Sequence, residues 1–598
     1  MSHQHYTYTH TVTHATTGYF SCEPPANYTL ENALRDIVGS PYDDFLHNYA
    51  LRALCALPAP AVASYVPQAA AAGQVLHKPL AALLLECALL RPAVHSGLIA
   101  ALGLALNAPA DATSLAALLH QGSPLIYLRW LCLPDREAHS AWAGLFTENI
   151  GEHRLLPHPE DSDLPWLYSK EALCALAQQD PALAAALPTT WQGYAPAPRL
   201  ADIHAAMLAE PASTPWQRPP AQETAQKALS ALIEHGIVGG QEMRHEASLS
   251  PIALLRPWNV AVAVHNGTLE YSLQGQATTY GRGLSLAGTR ASYAMEMVER
   301  ASSYVSIETQ AGQSFVTGRT SPMSLVLARF SELQAQGRAA LDPDSLPLEV
   351  PYSDFPLHWL EARNAAGEAV LVPAQAVFLF CNLDEPALFM AGGSTGLASG
   401  NTEAEAKVAA LTEIFERDAE ALTLYRRSLC FTVRSRDPRL QALLDDYAAR
   451  GIQVQFMNLT TVFGLPCYQC FVRRPEGGVA RATAAKLSGM AAALAALTET
   501  PYPYPHGQPS AGGLRGLPVR MLEDLPDYTL ESPERNVAML ERLLAAYGRQ
   551  VYYVSLTRSD LGLPVVRALV PKMELTAERD AFSRVPARLF ANYVRCAF

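Results

Sequence analysis

Residues 392–422 read GGSTGLASGNTEAEAKVAALTEIFERDAEAL: glycines and small polar residues, then a helical pattern with carboxylates at irregular intervals. At ~100° per residue, Glu405, Glu413 and Glu416 fall within an arc of roughly 80° on one side of that helix. Like charges along one stripe repel, and they are tolerable only if solvated or shared with a cation. Thr402 followed by Glu405 is a capping box, which accounts for Glu405 alone. Glu413 and Glu416 continue the stripe, with Arg417 beside them.

A second stretch, GRGLSLAGTRASYAMEMVERASSY at 281–304, repeats the idea. Ser292, Glu296 and Glu299 share one helical face, followed by Arg300. Facing each other, two such ridges would form an oxygen-rich cage for a hard cation such as Mg²⁺, its six ligands completed by phosphate. The arginines would meet phosphate oxygens. Two solvated helix faces are the competing reading, and physics alone does not choose between them.

The chain has 598 residues, enough for two or three domains. Apolar residues make up 49% and charged residues 17%, the texture of a globular protein with material for burial. A net charge of -12 and the lack of a basic block argue against a partner held by phosphate neutralisation, so nucleic acid is not expected. The most apolar run, PLAALLLECALLRPAVHSGLIAALGLAL, is interrupted by Glu86, Arg91, Pro92 and His95. Neither piece reaches the ~20 residues of a membrane span, and a buried helical hairpin is expected. The first residues, MSHQHYTYTHTVTHATTGYF, lack the pattern of a secretion signal, and most cysteines lie inside apolar runs, so a cytoplasmic protein is expected. His3, His5, His10 and His14 fit no standard zinc spacing, and a polar tail is the simpler account.

Residues 1–213 are Ala/Leu-rich with apolar positions three and four apart, as in SLAALLHQGSPLIYLRWLCL and SKEALCALAQQDPALAAALP, which predicts an all-helical N-terminal domain. A Pro-rich linker follows at 214–221. From 222 to 598 strand-like runs alternate with helical ones: WNVAVAVHNGTLEYSL with its Asn-Gly turn, EAVLVPAQAVFLF, LPCYQCFVRR and RQVYYVSL. The fold class is therefore α+β. Cys467 and Cys470 have redox-motif spacing, but in a strand they point to opposite faces and are expected to pack.

The spacing S-x3-E-x2-E-R at Ser292, Glu296, Glu299 and Arg300 resembles the first ATP/Mg-binding motif of the YcaO superfamily. The run from Asn401 through Glu405 to Glu413, Glu416 and Arg417 resembles the second. ETAQKALSALIEHGI and YVSLTRSDLGLPVVRALVPKMEL resemble the opening helix and late strand of its TfuA-associated members. The likeness covers about 222 to 580. It implies a YcaO-like domain that binds ATP without a Walker loop, and the chain has no G-x4-G-K-[ST]. Glu296, Glu299, Glu405, Glu413 and Glu416 would bind Mg²⁺. Ser292, Arg300, Asn401, Arg417 and, through a third motif, Glu499 would contact ATP. The implied chemistry is O-phosphorylation of a backbone amide in a peptide or protein, which turns a very poor leaving group into phosphate.

Two departures accompany the likeness. In MAAALAALTETPYPYP the third motif keeps Glu499, but Ala495 stands where the family has Arg and Tyr502 where it often has Gln. Arg481 or Arg282 are the candidate replacements; without one, ATP binding would be weak, partner-dependent or lost. The chain closes on ANYVRCAF, not on the Pro-x-Pro-x-Pro tail of azoline-forming members, and Pro501, Pro503 and Pro505 are expected in an extended loop. The resemblance thus implies an external nucleophile, with thioamidation first and a TfuA-like sulfur-delivery partner; the sequence leaves the oligomeric state open, with a homodimer as one option. Azoline or macroamidine formation and a non-catalytic accessory role in ribosomal protein methylthiolation are the alternatives.

Overall fold

The computed structural model describes residues 197–211, 214–265, 270–320, 323–348, 352–379, 383–386, 388, 393–423 and 427–575, with shorter pieces among the first 110. In those pieces helices His77–Leu90 and Leu98–Leu106 form where the interrupted apolar run predicts a hairpin. A short antiparallel ladder, His10–Val12 with Phe20–Cys22, adds strand to a region read as all helix. Its Thr- and Tyr-rich alternation is the β signal that the Ala/Leu texture downstream obscures. The helices expected from SLAALL and SKEALC lie outside the described residues, as do His3, His5, His14 and the last 23 residues, 576–598.

Helix α1 (Leu200–Leu208) and helix α2 (Ala221–Glu234) flank the Pro-rich stretch. That stretch is pinned to a distant part of the chain, because Trp216 N–H donates to Glu531 O at 3.0 Å. Leu200, Ile203 and Met207 of α1 are buried in a core shared with residues as distant as Val566.

Two long strands, β1 (Ile252–His265) and β2 (Glu270–Gly283), form the hairpin that the alternation predicts, paired without a break from Ile252↔Gly283 to His265↔Glu270. The Asn-Gly turn between them is outside the described residues. Helix α3 (Leu286–Ser303) folds back across the hairpin. Ser285 caps it, its hydroxyl accepting from Gly288 N–H at 3.1 Å. Tyr293, Ala294, Met297 and Val298 are fully buried beneath it. Each large apolar side chain there contributes roughly 1.5–3 kcal/mol. Gly281 permits the close approach, since a Cβ there would stand 2.1 Å from Thr289 O.

The sheet continues through β3 (Ile307–Gln310), β4 (Gln313–Val316), β5 (Met323–Ala328) and β6 (Leu357–Asn364), with β7 (Ala369–Pro373) branching from β6. It ends on β8 (Leu397–Ser399), which pairs with a strand from the far end of the chain. Helix α4 (Glu403–Leu422) follows β8 directly. A second sheet holds β9 (Cys430–Arg434), β10 (Gln455–Asn458), β11 (Cys467–Arg473), β12 (Val479–Ala485) and β13 (Val519–Met521). Helix α5 (Pro438–Ala449) connects β9 to β10, and helix α6 (Gly489–Glu499) packs on β11 and β12. Helix α7 (Pro533–Ala546), β14 (Tyr552–Ser555) and β15 (Val565–Leu569) return the chain to the first sheet.

Helix α4 is the hinge of this architecture. It contacts β8 and β15 of the first sheet, β12 of the second, and α7. Its apolar side, with Ala406, Ala410, Leu411, Ile414 and Phe415, is buried. Its carboxylate stripe is thereby directed to the seam where α3 from one sheet and α6 from the other arrive.

Cys467 and Cys470 behave as the strand reading requires. Cys467 lies in the core with Phe463 and Phe471, and Cys470 in the separate core with Phe431 and Tyr447. Burial pushes the Cys470 thiol up to about 12.

Candidate active site

Three helices deliver carboxylates to one place. Glu296 and Glu299 come from α3, Glu413 and Glu416 from α4, and Glu499 from the last turn of α6. Each is shifted upward from the ordinary carboxylate range, and burial is the largest cause for all five. Glu299 and Glu416 are pushed up to about 8. Like charges add to the effect: Glu413 and Glu296 act on Glu299, while Glu499 and Glu413 act on Glu416. Glu296 in turn raises Glu499, so the coupling closes on itself.

Cations sit between the acids. Arg300 lies 3.6 Å from both Glu296 and Glu299. Arg417 is 3.8 Å from Glu416 and 3.0 Å from Glu420. Two backbone donors fix the rims: Tyr280 N–H donates to Glu296 Oε2 at 3.2 Å, and Ala485 N–H to Glu416 Oε2 at 2.9 Å. The side chains of Glu296 and Glu299 keep 32% and 15% of their surface open. Crowded on most sides yet reachable, they line an opening and are not sealed in the core.

Three further cations were not assigned from sequence, or only as candidates. Lys486, just after β12, acts on Glu413, Glu416 and Glu499. Arg282, at the end of β2, acts on Glu296 and Glu499. Arg567 of β15 acts on Glu299 and Glu413 and is itself pushed down to about 10 by burial and by Arg300. Of the two proposed replacements for the arginine missing at Ala495, Arg282 is among the charges acting on Glu499. Nothing local marks Lys486 or Arg567, since a single cation at a strand end carries no pattern.

The remaining residues of the two motifs are placed differently. Glu405 caps its own helix: its N–H donates to Thr402 Oγ1 at 3.1 Å and its carboxylate accepts from Asn401 N–H at 2.8 Å. Arg218 occupies its other oxygen at 2.9 Å. Eight residues along a helix is about 12 Å, which separates Glu405 from Glu413. Asn401 Oδ1 accepts from the Thr224 hydroxyl of α2 at 3.0 Å. Ser292 is exposed on α3, one turn before Glu296. Tyr502 is buried, its hydroxyl donating to Gln508 O at 2.8 Å, and belongs to the core under α6.

Among the described residues, no three His, Cys, Asp or Glu side chains converge closely enough to hold a cation by themselves. The carboxylate cage anticipated from the facing stripes is therefore interleaved with arginine. That suits Mg²⁺, which usually takes one or two carboxylates and fills its octahedron with water and phosphate.

The family model described as YcaO cyclodehydratase, ATP- and Mg²⁺-binding, matches residues 280–501 and 506–574. An uncharacterized protein of Methanothermobacter thermautotrophicus is 30% identical over 272 residues, which is 39% of this chain and 70% of that protein. The chain belongs to the YcaO family. A second relative, an uncharacterized protein in the tfuA 3' region of Rhizobium leguminosarum bv. trifolii, is 29% identical over 156 residues, 25% of this chain and 37% of that one. Among solved structures, a heterocyclase in complex with substrate and cofactor aligns with 64% of this chain and 57% of its own length, at 19% identity and TM-score 0.47. The YcaO protein of Methanopyrus kandleri bound with AMPPCP and Mg²⁺ aligns with 59% of this chain and 91% of its own, at 20% identity and TM-score 0.40.

The residues present fit the ATP and Mg²⁺ of the YcaO family. Carboxylates whose charge is destabilised by burial and by one another are suited to a hard cation. Arg282 Nε and Arg567 Nε are buried without a hydrogen-bond partner, as donors awaiting an anion would be. One or two of the carboxylates Glu296, Glu299, Glu413, Glu416 and Glu499 would hold Mg²⁺, which supplies charge neutralisation, and Arg300, Arg417, Arg282 and Lys486 would face the phosphates.

Proposed function

We propose that this YcaO protein uses ATP and Mg²⁺ to activate a backbone amide of a peptide or protein, and that the product is a thioamide. A sulfide nucleophile would add to the amide carbon, and the resulting oxyanion would take the γ-phosphoryl group with release of ADP. Expulsion of phosphate would then form the C=S bond. The balance is amide, hydrogen sulfide and ATP giving thioamide, ADP and phosphate. Amide oxygen is expelled only when phosphorylated, so the protein's part is positioning and charge neutralisation.

The observation that carries the reading is the alternation of acids from α3, α4 and α6 with Arg300, Arg417, Arg282 and Lys486 around one opening. Sulfur as the nucleophile draws support from the relative in the tfuA 3' region. In this reading residues 1–213, before the 214–221 linker, bind the peptide substrate or a TfuA-like partner, in a cytoplasmic protein. The description of the family model as a cyclodehydratase favours a second product, an azoline or macroamidine ring.

The test is Mg²⁺-dependent ATP binding by the full chain and by a Glu413→Ala/Glu416→Ala double variant. Binding lost in the variant supports the reading, and binding absent in the wild type points to the accessory role. Product mass separates the two chemistries: a gain of about 16 Da for sulfur in place of oxygen, a loss of about 18 Da for a ring.

A further inference from the structure

Among the described residues, strand β2 has a partner strand on one side and none on the other. Tyr280 N–H donates sideways to Glu296 Oε2, not across to its register partner Leu255. On the far side of β1, Ala253 and Pro257 accept from the N–H groups of His245 and Gly239, and Asn259 N–H donates to Ile237 O. Those three β1 residues stand opposite Arg282, Thr278 and Gln276. In an antiparallel ladder this parity fixes the rest: even-numbered residues of β2 direct their N–H and C=O groups outward. Among the described residues, β1 is the only strand that pairs with β2.

Exposed edges of this length are normally blocked. Lysine, proline, a bulge or an early end prevents another strand from adding. Residues 271–280, YSLQGQATTY, contain no charge and no proline, and the register is continuous. Ser272, Gln274, Gly275, Gln276 and Thr278 are exposed, while Tyr271, Leu273 and Ala277 hold the strand on the core. The open edge also leads somewhere. The outward N–H of Tyr280, two residues before Arg282, is the one bonded to Glu296.

We propose that the outer edge of β2, from Ser272 to Thr278, is the docking track of the peptide substrate, which adds to it as an extended strand and is led toward the carboxylates. This rests on the reading that the substrate is a peptide. About seven residues at ~3.3 Å each give a track of roughly 23 Å. Recognition is through main-chain hydrogen bonds, with sequence preference left to the alternate side chains.

The experiment uses the full chain and a displayed library of random 12-residue peptides, from which an enriched peptide is synthesised and labelled. Its binding slows amide exchange at residues 272–278 by tenfold or more. Gln274→Pro, which removes an outward N–H and leaves the β1 ladder whole, weakens that peptide at least tenfold, whereas Gln274→Ala changes it less than twofold. The exchange result on the wild type stands even if the proline variant does not fold. Protection elsewhere, no enriched peptide, equal binding by Gln274→Pro, or slow exchange at 272–278 in the free chain (a second copy or another segment already seated there) overturns the proposal. Wild-type ATP binding is measured separately. Peptide on the edge without ATP binding would sink the amide-activation reading and leave the docking track intact.

Discussion

Replacing Glu416 or Glu299 by glutamine is expected to stabilise the ligand-free protein, and to do so only at higher pH. Each carboxyl is pushed from an ordinary 4.5 to about 8. The native state therefore keeps a proton that the unfolded chain releases, and stability falls as pH rises between those values. A shift of that size corresponds to about 5 kcal/mol above pH 8 at 1.36 kcal/mol per unit. Because Glu413 and Glu499 share the burden with Glu416, about 2 kcal/mol is the fairer expectation for one substitution. Glutamine retains the oxygen that accepts from Ala485 N–H, so that bond survives. At ~2.1 cal/mol/K per residue, a unit of about 380 residues gains roughly 3 °C in melting temperature. Melting is followed at about pH 5 and pH 8.5 without nucleotide: wild type and Glu416→Gln coincide at the lower value, and the variant melts higher at the upper. With Mg²⁺ and ATP the order reverses, because saturation at a hundred times Kd stabilises only the binding-competent protein, by about 2.7 kcal/mol. A variant that melts lower at pH 8.5, or that differs equally at both values, refutes the claim that these carboxylates are held against their own preference.

Magnesium binding releases protons, since the metal takes the ionised form of acids whose range reaches about 8; affinity measured by calorimetry rises from pH 6 to pH 8 and then levels. Arg282→Ala and Lys486→Ala each weaken ATP binding, by about 1.5–3 kcal/mol for a lost charge-assisted contact; unchanged ATP affinity in both refutes the assignment. Gly281→Ala forces β2 from α3, because its Cβ would meet Thr289 O at 2.1 Å, and costs more than the ordinary ~1 kcal/mol of a core substitution in chemical denaturation. Ala495→Arg does not strengthen ATP binding, because that position packs on the core under α6 and a larger side chain there costs about 1–3 kcal/mol; a tenfold gain in ATP affinity contradicts this.

The long hairpin was legible because alternation and an Asn-Gly pair are local signals, and β11 and β14 formed where LPCYQCFVRR and RQVYYVSL predict them. EAVLVPAQAVFLF gave strand only to Pro373, after which the chain turns through Ala374–Ala376. The acidic helices were legible from spacing, and the structure brings Glu296, Glu299, Glu413, Glu416 and Glu499 together. Glu405 lies on the same stripe, yet its carboxylate serves Asn401 and Arg218. A helical wheel reports angle and not height, and height separates the cap from the site. Lys486 and Arg567 could not be found in sequence at all, because their relevance depends on which strands the fold brings beside α4.

The absence of an arginine at Ala495 is a matter of charge more than of motif position. Five crowded acids face Arg300, Arg417, Arg282, Lys486 and Arg567. The acids are held above the ordinary carboxylate range, Glu299 and Glu416 up to about 8, and among the cations burial pushes Arg567 down to about 10. Mg²⁺ with a triphosphate supplies a partner to each sign at once, cation to carboxylates and phosphate to guanidinium and ammonium groups. Ligand entry therefore relieves the crowded carboxylates and Arg567, and the drive for it resides in the balance of the set, not in any one arginine. A cation lost from α6 is replaceable from β2 or from the end of β12, since the field at the opening depends on where the charge stands and not on which element carries it.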